Sequence, residues 1–400
     1  MTDRELLGLA EGFGTPLYAF DERELAPRAA RLRSALPDGV ELCYAVKANT
    51  FVTGALAPHV SRLEACSPGE QRICRALGVP AGKVVISGVS KDRESLDAAI
   101  AAPELPAAVT VESPAQLELV RGIARGWGRR VPVLLRLSSG NQFGVDREEL
   151  VLLARAAARD PALELRGVQL FTGTQKRSPA RLRREVAALD ALMVELAGVC
   201  GRELPEVEYG PGLPVAYFEG EEADEGALLA ALAESILGMA CGARVILELG
   251  RSLVAGCGTY LTRVTDAKVV AGERYAIADG GIHQLVYYGQ SLAMRRPPVR
   301  LLRGGAGEKD GAAEELGWNV CGSLCTVNDI LVKRLPLAGL SAGSVLAFDL
   351  AGAYCATEGA ALFLSRDLPR VVLVGRDGAP ALVREGVRTD QLNMPVAVRG

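Results

Sequence analysis

The chain has 400 residues, room for two domains or for one large barrel with an appendage. With 49% hydrophobic and 23% charged residues it can bury a full core, which excludes intrinsic disorder. A formal charge of -3, with no basic run interleaved with aromatics, excludes the field that gathers nucleic acid or an anionic membrane.

The N-terminal MTDRELLGLAEGFGTP has no apolar core of signal-peptide length, and no later stretch approaches 18 uncharged apolar residues. A cytoplasmic protein acting on a small molecule is expected. TPLYAF (15–20) reads as a strand. From 41 to 250, eight short aliphatic runs alternate with segments whose apolar residues fall at three and four spacing. The runs are ELCYAV (41–46), RLEAC (62–66), VVISG (84–88), AVTVES (108–113), PVLLRLS (132–138), GVQLFTG (167–173), VEYGPG (207–212) and RVILELG (244–250). Ser or Asp opens the intervening helices. Eight such units fit a (β/α)8 barrel of the TIM type, with a doubly wound open sheet as the alternative. After Arg251 the strand-like GTYLTRVTDAKVVAG, RYAIADGG, SVLAFDLAG and RVVLVGRDG lack helices between them, so a mainly β domain follows. The expected division is a barrel over 21–255 and a β domain over 1–20 and 256–400. LRGGAGEKDGAAEE (302–315) reads as an exposed loop.

Nine cysteines are scattered without a paired framework and read as thiols. Cys321 and Cys325 have no further ligand nearby in sequence, and no metal site is expected. Only seven of the 45 basic residues are Lys, so chemistry needing an amine has few candidates. Lys47 in YAVKAN ends the first barrel strand, on the face where barrel active sites lie, and there a desolvated amine could form a Schiff base with an aldehyde cofactor. A lysine snorkelling at the rim is the plainer alternative. Lys83 precedes its strand and Lys91 begins a helix, so neither competes. GPGLP (210–214) and ELGR (248–251) end the seventh and eighth strands, the usual phosphate position of such barrels. Glu248 interrupts an apolar strand and needs a cation: a pyridinium nitrogen, or a neighbouring Arg such as Arg136. A lysine, a phosphate cradle and a carboxylate for a ring nitrogen together suit pyridoxal 5'-phosphate.

Over about residues 15–390 the sequence resembles the ornithine/diaminopimelate decarboxylase family, the fold-type III, alanine-racemase-like class of enzymes using that cofactor. YAVKAN resembles its lysine motif, GPG its triple-glycine phosphate loop and ELGR its EPGR. The resemblance implies Lys47 as cofactor lysine, Glu248 on the pyridine nitrogen, and Gly210, Gly212, Gly250 and Arg251 around the phosphate. FTGTQ (171–175) falls at the family's HxGSQ, which implies Phe171 against the cofactor ring and Thr174 on the phosphate. CGSLCTVND (321–329) implies Cys325 as catalytic, and GAY implies that Tyr354 contacts the cofactor. The family's head-to-tail homodimer, with shared active sites, implies that Cys325 and Tyr354 serve the partner's site.

Phe171 replaces the family's His, Pro211 interrupts the triple glycine, and Thr326 replaces the acidic residue that meets a distal amine. Tyr287 falls where the diaminopimelate enzymes place an Arg, and His283 lies close by. These departures resemble the branch acting on carrier-linked or otherwise modified amino acids in specialised biosynthesis, including carrier-bound glutamate. A decarboxylase is therefore expected; an amino-acid racemase and a non-catalytic binding homologue are the alternatives.

Overall fold

The computed structural model describes residues 1–303 and 314–395. Most of the loop expected over 302–315 therefore lies outside the described residues. The chain forms two compact units, one of residues 26–215 and 223–253, the other of 1–25, 216–222 and 254–400.

Strand β1 (Leu17–Asp21) belongs to the second unit. The first unit is a closed barrel of β2 (Glu41–Ala45), β3 (Arg62–Ala65), β4 (Val84–Ile86), β5 (Ala108–Val111), β6 (Val131–Leu137), β7 (Leu163–Phe171), β8 (Glu206–Gly210) and β9 (Arg244–Leu249). All eight run parallel, and β9 pairs with β2 to close the ring, setting Cys43 beside Glu248. The TIM-type barrel with a separate β unit is the architecture expected from the sequence, and closure disposes of the open-sheet alternative. The strands are aliphatic because a barrel strand is covered on both faces. Ser67, Ser113 and Ser178 each cap a helix and precede a Pro, whose missing N–H and fixed φ suit the first helical position.

The second unit contains β10 (Gly258–Val270), β11 (Glu273–Ala278), β12 (Val299–Leu301), β13 (Leu316–Cys321), β14 (Ile330–Leu337), β15 (Val345–Phe348), β16 (Arg370–Val374) and β17 (Pro380–Arg384). The main path of the sheet runs β14-β13-β11-β10-β1-β16-β17. The early TPLYAF segment thus lies between the antiparallel β10 and the parallel β16. Its Tyr18 ring lies 4.9 Å from that of Tyr260, and both hydroxyls donate to Gln284, one to its backbone carbonyl and one to its side chain. One element was not anticipated: Asp3–Phe13 is a helix, started by Thr2 and Glu5 in a reciprocal capping box and packed through Leu6, Leu9 and Ala10 on the sheet. No helix among the described residues is long and apolar enough to cross a membrane.

Candidate active site

Lys47 follows β2 in a short 3-10 turn, Val46–Ala48, which lifts its side chain to the carboxyl-terminal mouth of the barrel. Its Nζ donates to Glu64 Oε2 at 2.6 Å, approaches Glu248 Oε1 at 3.6 Å and lies 3.4 Å from Cys66 Sγ. Glu64 lies in β3 and Glu248 in β9, both buried, so the lysine joins two carboxyl groups from its neighbouring strands. Burial opposes ionisation of Glu64, but the Lys47 charge and hydrogen bonds from Glu248 and Lys47 hold its carboxyl down at about 2. For Glu248, burial first and then the Glu64 charge push the carboxyl well above the usual carboxylate range. The two carboxyl groups beside the lysine are thus pushed in opposite directions, Glu64 toward its ionised form and Glu248 toward its protonated one.

Arg136, the alternative partner for Glu248, instead lies 3.5 Å from Glu112 Oε1 with its guanidinium over the Phe143 ring. Lys91 corrects a sequence expectation. It precedes the helix Arg93–Ala101, which Asp92 caps, and its ammonium turns inward to Gly88 O at 2.9 Å and Thr110 Oγ1 at 3.4 Å. Burial pulls it down to about 8.

The ends of β7 and β8 meet closely. Gly212 has φ +61°, and a Cβ there would lie 2.1 Å from Gly173 O and 3.1 Å from Thr174 Cα. A Cβ on Gly210 would come within 2.5 Å of the Phe171 ring, so that half-buried ring lies across the glycine. The two loops are clasped: Lys176 N donates to Gly212 O at 2.9 Å, and Gln175 exchanges side-chain hydrogen bonds with Val215 N and O. Gly210 and Gly212 thus carry no side chain where the backbone of Gly173 and Thr174 and the Phe171 ring come close, a glycine turn of the kind that suits an anion. After β9, Gly250 leads into buried Arg251 at the start of the turn Arg251–Val254. This glycine-lined cradle, the lysine and the buried Glu248, whose proton affinity is raised, fit a phosphorylated aldehyde with a basic ring nitrogen.

In the β unit, Cys325 is exposed on the loop between β13 and β14. Thr326 Oγ1 accepts from Asn328 N at 3.4 Å. The loop's own carboxylate, Asp329, is buried and accepts from Ile282 N at 2.9 Å and Leu324 N at 2.7 Å. Tyr287 is buried, its hydroxyl donating to Asp349 O at 2.6 Å and its ring packed edge-on against Tyr217. The hydroxyl at the position of the diaminopimelate enzymes' Arg is therefore engaged within the fold. His283 is buried as well, with neither ring nitrogen hydrogen-bonded among the described residues; burial and Arg366 push it down to about 4. Tyr354 is half-buried at φ +64°, a conformation costly for a bulky residue and one that clusters at functional sites.

Comparison with known proteins places these features in context. The family described as pyridoxal-dependent decarboxylase, pyridoxal binding domain, matches residues 22–255. Diaminopimelate decarboxylase of Pseudomonas aeruginosa is 31% identical over 365 residues, which are 86% of this chain and 84% of that protein. L-glutamyl-[BtrI acyl-carrier protein] decarboxylase of Niallia circulans is 24% identical over 422 residues, 97% of this chain and 95% of the relative. Among solved structures, diaminopimelate decarboxylase from M. jannaschii in complex with L-lysine superimposes with a TM-score of 0.84 at 26% identity, covering 97% of this chain and 93% of that one.

Proposed function

Because the chain belongs to the pyridoxal-dependent decarboxylase family and is an amino-acid decarboxylase that uses pyridoxal 5'-phosphate, we propose that its substrate is an amino acid whose distal end carries no free ammonium. A side chain amidated, conjugated or thioesterified to a carrier protein meets that description. The observation that carries this reading is the loop that follows β13: Thr326 stands in the acidic position and offers only a hydroxyl, while Asp329 is spent on backbone amides. A charge-assisted contact to an ammonium is worth about 1.5–3 kcal/mol, and a buried cation left without one is penalised further. Supporting the carrier-linked form is the relative named for a carrier-bound glutamyl group.

When bound, the cofactor supplies an aldehyde for the lysine amine and an electron-poor ring that accepts the electron pair left by departing carbon dioxide. This chain's residues supply the rest. Lys47 holds the group covalently and is itself oriented by Glu64. Glu248 keeps a proton at the ring nitrogen, which favours decarboxylation because the developing charge has a protonated acceptor. The Gly210–Gly212 turn, Thr174 and Arg251 hold the phosphate, and Phe171 offers an apolar aromatic face. Cys325 and Tyr354, from the partner of a homodimer, complete the site on the substrate side.

The second reading is meso-diaminopimelate itself, favoured by the name of the 31%-identical relative. One panel decides between them: kcat/KM for ornithine, lysine, meso-diaminopimelate and carrier-linked or conjugated amino acids. The modified amino acids should be preferred. Turnover of a free diamine or of diaminopimelate within the ordinary enzyme range of about 10⁴–10⁸ M⁻¹s⁻¹ would overturn the proposal.

A further inference from the structure

Below Glu248 the barrel interior holds a hydrogen-bonded relay that the chemistry above does not use. Gln169 of β7 and Glu208 of β8 are register partners and are both fully buried. Gln169 Nε2 lies 2.7 Å from Glu208 Oε1 and 3.5 Å from Glu248 Oε2. One amide nitrogen, with two hydrogens to give, therefore faces both carboxyl groups. Glu208 Oε2 and Gln169 Oε1 make no hydrogen bond among the described residues.

Glu208 is surrounded by charge from four strands. Arg62 of β3 approaches its Oε2 at 3.9 Å, but the guanidinium forks onto Glu206 at 2.9 and 2.8 Å. Glu64 of β3, Glu206 of β8, Glu248 of β9 and the Cys43 thiol of β2 also act on it or feel its charge. Burial, and then the charge of Glu64, raise its carboxyl to about 7. An amide with its oxygen turned toward ionised Glu208 would be repelled, so the Glu208 contact selects the orientation of Gln169 that gives a donor to Glu248.

We propose that Glu208 is a positioning residue that acts through the Gln169 amide to fix Glu248 against the cofactor's ring nitrogen. The inference rests on the role of Glu248 stated above. It predicts a sign. Ionised Glu208 adds negative charge below Glu248, which favours the protonated ring nitrogen; a neutral residue there lets that nitrogen lose its proton at lower pH.

The test uses the enzyme loaded with pyridoxal 5'-phosphate and compares wild type with Glu208→Leu, Glu208→Gln and Glu248→Gln. Cofactor content, the absorbance of bound cofactor against pH, kcat and KM are measured for each. Glu208→Leu should lower kcat about tenfold, the scale of one misplaced buried hydrogen bond, with KM and cofactor content preserved. Glu208→Gln, whose amide oxygen still accepts from Gln169, should recover most of that loss. Its absorbance titration should move to lower pH than the wild type's. In cofactor-free protein held below the Glu208 value of about 7, the infrared carbonyl band of a protonated carboxyl should lose intensity in Glu208→Gln. If Glu208→Leu does not fold, Gln169→Met removes the same bridge and should show the same kcat loss. Wild-type kcat in Glu208→Leu, a loss matched by lost cofactor, or failure of Glu208→Gln to recover it would overturn the proposal. Should Glu248→Gln also keep wild-type kcat, the role of Glu248 itself fails; an impaired Glu248→Gln beside a normal Glu208→Leu sinks the relay alone.

Discussion

The Lys47 ammonium rests against the Glu64 carboxylate at 2.6 Å, a full hydrogen bond, while Glu248 stands back at 3.6 Å with its proton affinity raised by burial. The lysine's counterion and the carboxyl proposed for the ring nitrogen are therefore different residues on different strands. Their tasks can be tested apart.

Lys47 should carry the cofactor covalently. Purified protein should absorb in the visible, and Lys47→Ala should lose that band. A mutant spectrum identical to wild type would move the attachment to another amine, of which Lys91 is the nearest rival by its inward turn and lowered proton affinity.

Glu248→Gln should cut kcat by about 10²–10³ with KM changed little, since what is lost is stabilisation of charge that develops only in the transition state. Steady-state kinetics on the best substrate of the panel reads this directly. Wild-type kcat would refute the role.

Shared sites in a homodimer predict complementation. Cys325 is exposed, so its thiol is open to a site on a second subunit. Mixing inactive Lys47→Ala with inactive Cys325→Ala subunits should restore part of the activity through one intact site per heterodimer. Absence of recovery after proven subunit exchange counts against sharing.

Gly212→Ala should weaken cofactor binding at least about tenfold, because the left-handed conformation costs an L-residue roughly 1–2 kcal/mol and the added carbon meets Gly173 O. Equilibrium dialysis of the cofactor against each protein measures it. Unchanged affinity would separate the turn from the phosphate.

At the floor of the barrel, Arg62 forks onto Glu206, which burial opposes but Arg62 and Arg166 hold down at about 2. A depressed carboxyl contributes stability above its ordinary value of 4.5 and loses it as pH falls toward 2, an amount of at most about 3 kcal/mol. Arg62→Ala should destabilise the protein by about 1.5–3 kcal/mol at neutral pH, because Glu206 keeps Arg166 and Arg244 but loses its forked partner. The gap to wild type in denaturant titrations should narrow below pH 4.5. A gap independent of pH would mean that packing, not pairing, is lost.

Much of this was legible in the sequence. Each barrel strand lies within a few residues of its aliphatic run, because strands covered on both faces are mostly apolar. Lys47 and Glu248 were visible for the complementary reason, as charges at the ends of such runs. The same signal stands in RLEAC, GVQLF and VEYGPG, where Glu64, Gln169 and Glu208 each break an apolar strand, yet these were not singled out. What was not legible is which of these polar residues meet, since that depends on barrel closure and register. Lys91 was misread because position beside a helix start says nothing of where a long side chain turns.

The carboxylate of Asp329 ties the loop bearing Cys325 and Thr326 to the segment at Ile282, and the backbone at Gly322 approaches it so closely that a Cβ would lie 2.3 Å from Oδ2. Loop shape is thus set from beneath, by a residue that no substrate need touch. Position 326 is then free to vary in evolution without reshaping its support, so that a change of one side chain can redirect such an enzyme from one distal group to another while the rest of the catalytic framework is inherited intact.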